Sequence, residues 1–218
     1  MTELPVDGVC DERFAALGDV FRENLTTGVD AGACLAATVD GEPVVDLWGG
    51  HRDWEFAEPW ERDTIVNVFS TSKVMLNIAV LMVHDRGLLD LDAPIADYWP
   101  EFGRNGKHTI TTRDVFVHRT GLPGFGRSIP FDTLHDWDTV IALIEDAGLW
   151  HEPRSRTYYS PIVYGYLLGE AVHRTSGLPF ADFFRTELAE PLGADFHFGI
   201  TDPAVASRIA ALWPPDPE

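Results

Sequence analysis

Ser70 and Lys73 stand three residues apart in the run Ser70-Thr71-Ser72-Lys73. The apolar spacing that follows predicts a helix from Ser70 to Arg86, and residues three apart on a helix share a face. The Lys73 amine can then reach the Ser70 hydroxyl, take its proton and prepare the oxygen for attack on an acyl carbon. The start of a helix adds main-chain N–H groups and the positive end of a dipole, both suited to a developing oxyanion. A simpler reading gives Ser70 a capping role only, its hydroxyl accepting from an N–H of the first turn. That reading leaves Lys73 unexplained, because a capping box places Glu or Gln three residues on. A cation in the first turn instead opposes the helix dipole, at a cost of about 0.3–1 kcal/mol, and an ammonium on an otherwise apolar helix also loses solvation.

The elements around this pair follow from periodicity. Apolar residues Val74, Met75, Leu76, Ile78, Val80, Leu81, Met82 and Val83 run round most of the helix, which predicts a buried one closed by Gly87. Upstream, Phe14, Leu17, Val20 or Phe21, and Leu25 predict a helix over about 11–25. Ala33 to Val39 and Pro43 to Trp48 read as strands joined by an Asp40-Gly41 hairpin turn. Residues 51–62 read as a loop and Thr64 to Phe69 as a short β-branched lead into Ser70. Leu88 to Pro100 reads as a linker with Pro94 and Pro100 as punctuation, and 121–126 as a second loop. Helical patterns recur over 112–118, 138–147, 162–175 and 179–189, and the chain ends in the turn-forming Pro214, Pro215 and Pro217. Strands followed by helices predict an α+β fold within one domain over 1–218, about 10–69 forming sheet and about 70–200 mainly helical. Two or three strands make a thin sheet, so the sheet is expected to be incomplete in this chain.

Composition narrows the function classes. The 218 residues carry 35 acidic side chains against 16 Lys and Arg, a formal net charge of −19. Neither a nucleic-acid backbone nor an anionic membrane surface suits that balance. Cys10 and Cys34, without metal-type spacing, read as small apolar fillers rather than a disulfide framework. Met1-Thr2-Glu3-Leu4-Pro5 lacks a basic and an apolar leader region, and no apolar run is long enough to span a bilayer, which predicts a cytoplasmic protein. There is no G-x-S-x-G elbow, and His84, His118, His151 and His173 stand apart, read as loop or surface residues. His51-Arg52-Asp53 has the residue types of a metal site or a catalytic diad, and an exposed loop explains it as well. Gly124-Phe125-Gly126 and Gly103 to Lys107 lack nucleotide-loop spacing. No cofactor and no metal is implied.

Several segments in order carry a family resemblance: Phe69-Ser70-Thr71-Ser72-Lys73, Arg86 to Ile95, Tyr98-Trp99-Pro100 and His118-Arg119-Thr120-Gly121-Leu122-Pro123. From about residue 10 to its end the chain resembles the serine β-lactamase-like superfamily, which includes class C β-lactamases, D-Ala-D-Ala carboxypeptidases and family VIII carboxylesterases. The resemblance implies an antiparallel sheet flanked by helices plus a mainly helical lobe. It also implies that Ser70 is acylated with help from Lys73, and that a tyrosine of a second motif acts in proton transfer. Register against the following helix puts Tyr159 at that place, with Tyr158 a rival by one residue. Pro161 then occupies the position of the family's Asn, a departure that disfavours β-lactam and peptide-amide substrates. The third family motif is not found, since Trp48-Gly49-Gly50 follows the N-terminal hairpin. The resemblance therefore implies the N-terminal part of such an enzyme, with further strands from a C-terminal segment or a second chain completing the sheet and supplying a second oxyanion donor. The expected activity is that of a carboxylesterase on a small-molecule ester. A β-lactamase, DD-peptidase or acyltransferase with the same residues is the alternative, and a non-catalytic ligand-binding or scaffold protein is another.

Overall fold

The computed structural model describes residues 4–212 and divides the chain into two compact units, residues 1–67 with 200–218, and residues 68–199. The proline-rich end expected at 214–217 lies outside the described residues.

The first unit is built on a three-stranded antiparallel sheet in the order β1-β3-β2. Strand β2 (Gly32–Val39) and strand β3 (Glu42–Gly50) form the expected hairpin. Asp40 and Gly41 at its tip have φ of 51° and 83°, the paired left-handed conformation of a two-residue turn matched to strand twist. β2 alternates, with Ala33, Leu35 and Ala37 facing a core of Phe21, Leu25, Val44, Val45 and Leu47. That face is covered by helix α1 (Ala15–Thr27), which presents Phe21 and Leu25 inward while Leu17 and Val20 face solvent, contrary to the expected face. Cys34, expected as filler, is exposed on the other side of β2. β1 (Val6–Cys10) is a strand the sequence pattern does not signal; it pairs with β3 from Val6↔Gly49 to Cys10↔Val45. Gly8 sits at φ +105° where a Cβ would lie 1.9 Å from the Asp46 carbonyl oxygen, so only glycine permits this approach. Among the described residues β2 has β3 on one side and no strand on the other. The β-branched stretch before Ser70 makes one bridge, Ile65↔Ile209.

The second unit has its own, larger core. Helix α2 (Ser72–Asp85) packs against helix α5 (Val163–Ser176), and short helix α3 (Thr112–Phe116) and helix α4 (Trp137–Asp146) also lie on α5. α2 is not buried all round. Leu76, Ala79, Val80 and Val83, at i, i+3, i+4 and i+7, are buried, whereas Val74, Ile78 and Leu81 are exposed. The stretch expected as a linker is core: Leu89, Leu91, Ile95 and Trp99 are all buried with the helices. Lys107 is wholly buried and donates to the carbonyls of Glu145 and Ala147 at 3.0 and 2.5 Å, closing off the end of α4.

Candidate active site

Ser70 lies in a 3₁₀ turn, Phe69–Thr71, immediately before α2. Its hydroxyl does not cap the helix: the residue at the cap position is Thr71, which makes no side-chain capping bond. Phe69 has φ of 46°, left-handed backbone one residue before the serine, a conformation that costs a non-glycine residue about 1–2 kcal/mol. One helical turn on, the Lys73 Nζ donates to Ser70 Oγ at 3.0 Å.

Tyr159 arrives from a return segment, residues 154–160, that leads into α5. Loop 118–123 holds this segment. The Arg119 carbonyl accepts from Arg154 N–H at 2.8 Å, and the His118 carbonyl accepts from Tyr158 N–H at 3.0 Å. The Arg154 guanidinium also grips the largely buried Asp114 carboxylate through two bonds of 2.6 and 3.0 Å. The result places the Tyr159 hydroxyl 2.6 Å from Ser70 Oγ. The hydroxyl bonded to the serine is that of Tyr159 and not that of its exposed neighbour Tyr158. Pro161, at the position where an Asn is expected, contributes main chain instead: Lys73 Nζ donates to its carbonyl at 3.0 Å.

The amine is thereby fixed between two oxygens and flanked by the rings of Tyr159 and Tyr164, 5.2 and 5.6 Å from their centroids. Tyr164 is locked in turn by its hydroxyl donating to Asn77 Oδ1 at 2.6 Å. Hydrogen bonds from Ser70 and then from Lys73, aided by the lysine's charge, hold the Tyr159 phenol below its ordinary pKa of 10. Lys73 donates to Ser70 Oγ, and either hydroxyl can donate in the 2.6 Å bond between Ser70 and Tyr159, so the geometry allows the serine proton to be aimed at the Tyr159 oxygen. A hydroxyl, a phenol of lowered pKa and an amine, the groups that activation of a serine nucleophile requires, are within hydrogen-bond reach of one another.

His118 was read from the sequence as a loop residue, yet it touches this site. Its backbone is left-handed (φ 55°), its Nδ1 accepts from Ser160 N–H at 3.2 Å, and its ring lies 4.8 Å from the rings of both Tyr159 and Tyr164. Burial, and secondarily the charge on Lys73, lowers its pKa from 6.5. The one available signal was its place before Thr120-Gly121-Leu122-Pro123, used only as a family mark. A cavity of about 480 Å³ in the first unit, lined by Leu25, Cys34, His51, Phe56 and Trp60 among others, contains none of these residues. Among the described residues no group of three or more His, Cys, Asp or Glu converges as a metal site, and no helix is long and apolar enough to cross a membrane.

Comparison with known proteins places this geometry in a family. The β-lactamase family model matches residues 20–218. The esterase/β-lactamase LipL of Mycobacterium tuberculosis is 36% identical over 214 residues, covering 96% of this chain and 49% of LipL. Among solved structures, a penicillin-binding protein homologue from Caulobacter crescentus superposes with a TM-score of 0.90 at 36% identity, covering 98% of this chain and 57% of that one. A family VIII carboxylesterase superposes at 0.89 with 33% identity, covering 94% and 57%. The chain thus spans about half the length of the relatives it matches. With the family model matched over most of its length and the α+β fold shared with these structures, the chain belongs to the β-lactamase family.

Proposed function

We propose that this chain carries the acylation machinery of a serine hydrolase acting on small acyl esters. One observation carries the reading: Ser70 Oγ lies 2.6 Å from a phenol of lowered pKa and 3.0 Å from a lysine amine. In the proposed reaction Tyr159 starts as the phenolate beside the Lys73 ammonium, and Ser70 Oγ bonds to the ester carbonyl carbon as its proton passes to the Tyr159 oxygen. The Ser70 main-chain N–H, at the opening of the helical run, serves as one oxyanion donor. The tetrahedral intermediate then breaks its bond to the alkoxide, which leaves as the alcohol with the proton held by the Tyr159–Lys73 pair. Water adds to the acyl carbon, gives a proton to the same pair, and the acid departs as Ser70 recovers its proton. An alcohol or amine in place of water would make the same residues an acyltransferase.

Esters are favoured over lactams and peptides by Pro161, which brings a carbonyl to Lys73 and has no amide to hold a substrate. The names of LipL and of the family VIII carboxylesterase point the same way; the first of them also names β-lactamase, which keeps that activity as the second reading. The proposal treats residues 1–218 as one β-lactamase-like domain whose sheet is extended at the free edge of β2 by a further segment of the same or a second chain. The test is labelling with a fluorophosphonate and location of the adduct by mass spectrometry. The expected result is one adduct, on Ser70, absent in Ser70→Ala. A folded chain that takes no probe there would favour a non-catalytic binding or scaffold protein. Turnover of p-nitrophenyl butyrate against nitrocefin separates esterase from lactamase.

A further inference from the structure

We infer that His118 is the positioning residue for Tyr159: it bonds the main chain on both sides of the tyrosine and lies against its ring. The inference rests on the proton-accepting role proposed for Tyr159. The Tyr159 side chain is 49% exposed and sits in a segment without helix or strand, so packing alone does little to fix its hydroxyl. Yet that hydroxyl must stay within about 3 Å of Ser70, since a misplacement near 1 Å can cost about 10²-fold in rate. Arg119 and Asp114 hold the start of the segment through Arg154, while the main chain on either side of Tyr159 is held by one residue. The His118 carbonyl takes the N–H of Tyr158 at 3.0 Å, the His118 Nδ1 takes the N–H of Ser160 at 3.2 Å, and the imidazole ring faces the phenol ring at 4.8 Å.

Backbone conformation explains how one residue does both. With φ at 55°, His118 turns its carbonyl and its side chain toward the same return segment. Such a conformation costs energy for a residue with a Cβ and is a mark of functional strain when the surroundings enforce it. Here they do: the His118 N–H is held by the Val115 carbonyl at 3.0 Å, and Arg119 N–H by the Asp114 carbonyl at 2.8 Å. On its other side the ring meets Tyr164, itself pinned to Asn77 on α2. His118 therefore ties the tyrosine to the helix that carries Lys73.

The Ser160 bond requires a neutral ring with Nδ1 unprotonated. The groups facing the imidazole are Lys73 from α2, Tyr159 and Ser160 from the return segment, and Tyr164 from α5. Lys73 and burial both favour the neutral form, so the clasp holds at neutral pH and opens as pH falls below 6.5 through the lowered midpoint. Acylation should then decline with a second proton on the acid side, beyond the one taken up by the Tyr159 oxygen.

Two substitutions divide the functions of the ring. His118→Asn places a side-chain oxygen near the position of Nδ1, tolerates left-handed backbone and cannot take a proton in this range. His118→Phe keeps a ring against Tyr159 and loses the acceptor; if it fails to fold by circular dichroism, His118→Leu replaces it as the variant without an acceptor. The first readout needs no activity: titration of the Tyr159 phenol by ¹³Cζ NMR, assigned with Tyr159→Phe. The expected result is a phenol pKa rising toward 10 in His118→Phe and staying low in His118→Asn. The second is the pseudo-first-order rate of fluorophosphonate labelling across pH. His118→Phe should lose about 10- to 100-fold, and His118→Asn should recover most of that loss and remove the second proton from the acid limb. Equal phenol titration in the Asn and Phe variants, or a two-proton limb that persists in His118→Asn, would overturn the positioning role. A wild-type chain that takes no probe would sink the hydrolase reading, while the phenol titration would still decide the role of His118.

Discussion

Replacing Tyr159 with Phe separates two accounts of the site by size. The substitution removes one oxygen, the atom 2.6 Å from Ser70 Oγ, and keeps the ring that faces His118 and Lys73. If the phenol only shares a hydrogen bond with the serine, the loss is about 0.5–1.5 kcal/mol, or about 2- to 12-fold in rate. If it takes the serine proton in the transition state, a general-base contribution of about 10²–10⁴-fold goes with it, equivalent to about 2.7–5.4 kcal/mol. The lowered phenol pKa places its proton affinity closer to neutrality and favours the larger figure. The assay is the second-order rate of fluorophosphonate labelling at Ser70 followed by intact mass, with Tyr158→Phe as the control. Tyr158 is exposed, and the bond to Ser70 belongs to Tyr159, so its substitution should change the rate by less than about twofold. Because the Tyr159 side chain is half exposed, the melting temperature should move by only a few degrees, near 2–4 °C per kcal/mol for a chain of this size. A loss below about 12-fold, matched by the control, would refute the proton-acceptor role.

Further substitutions probe the groups around that pair. Lys73→Met should lower labelling by at least about 10²-fold, because it removes the donor to Ser70 Oγ and the charge beside Tyr159; the phenol pKa, followed by NMR, should rise with it. Gly121→Ala should cost at least about 1–2 kcal/mol in thermal unfolding, since Gly121 has φ +77° and a Cβ there would lie 2.2 Å from the His151 carbonyl oxygen. Lys107→Met should destabilise the second unit by about 1–3 kcal/mol, by stranding two buried carbonyls, with labelling of Ser70 in the folded fraction retained. Chain stability should also fall as pH drops below 6.5: the unfolded chain protonates His118 there while the folded one, with its lowered pKa, resists until the lower midpoint is passed. Chemical denaturation at pH 7.5 and 5.5 checks the sign.

The features legible in the sequence were those with a local cause. Asp40-Gly41 between two alternating runs specifies its hairpin through two left-handed residues, and Ser70 to Arg86 declares a helix through spacing alone. The α2 face toward the core was less accessible, because Val74, Ile78 and Leu81 are as apolar as the buried Leu76, Ala79, Val80 and Val83. β1 has no local signal: Gly8 and Asp7 look like turn residues, and only the approach of Asp46 across the sheet makes glycine a strand residue there. Leu88 to Pro100 reads as punctuation by its prolines, yet Leu89, Leu91, Ile95 and Trp99 fill the core. At the site, Lys73 to Ser70 is a one-turn relation and visible. Tyr159 needed a family register, as its contact with Ser70 spans 89 positions. His118 was overlooked because its bond to Ser160 depends on a left-handed backbone that no residue pattern announces.

The chain contains two lysines against 14 arginines. Lys107 is shut inside the second unit with no exposed surface, whereas Lys73 is only partly covered. Within these 218 residues, apart from the N-terminus, a reagent selective for amines therefore meets a single addressable side chain, and it is the one that touches the serine. Reductive methylation with ¹³C-formaldehyde would install one reporter methyl group pair on Lys73, its chemical shift reading ligand arrival and proton position without a mutation. The 14 arginines, unreactive under the same conditions, leave that label to the amine beside Ser70.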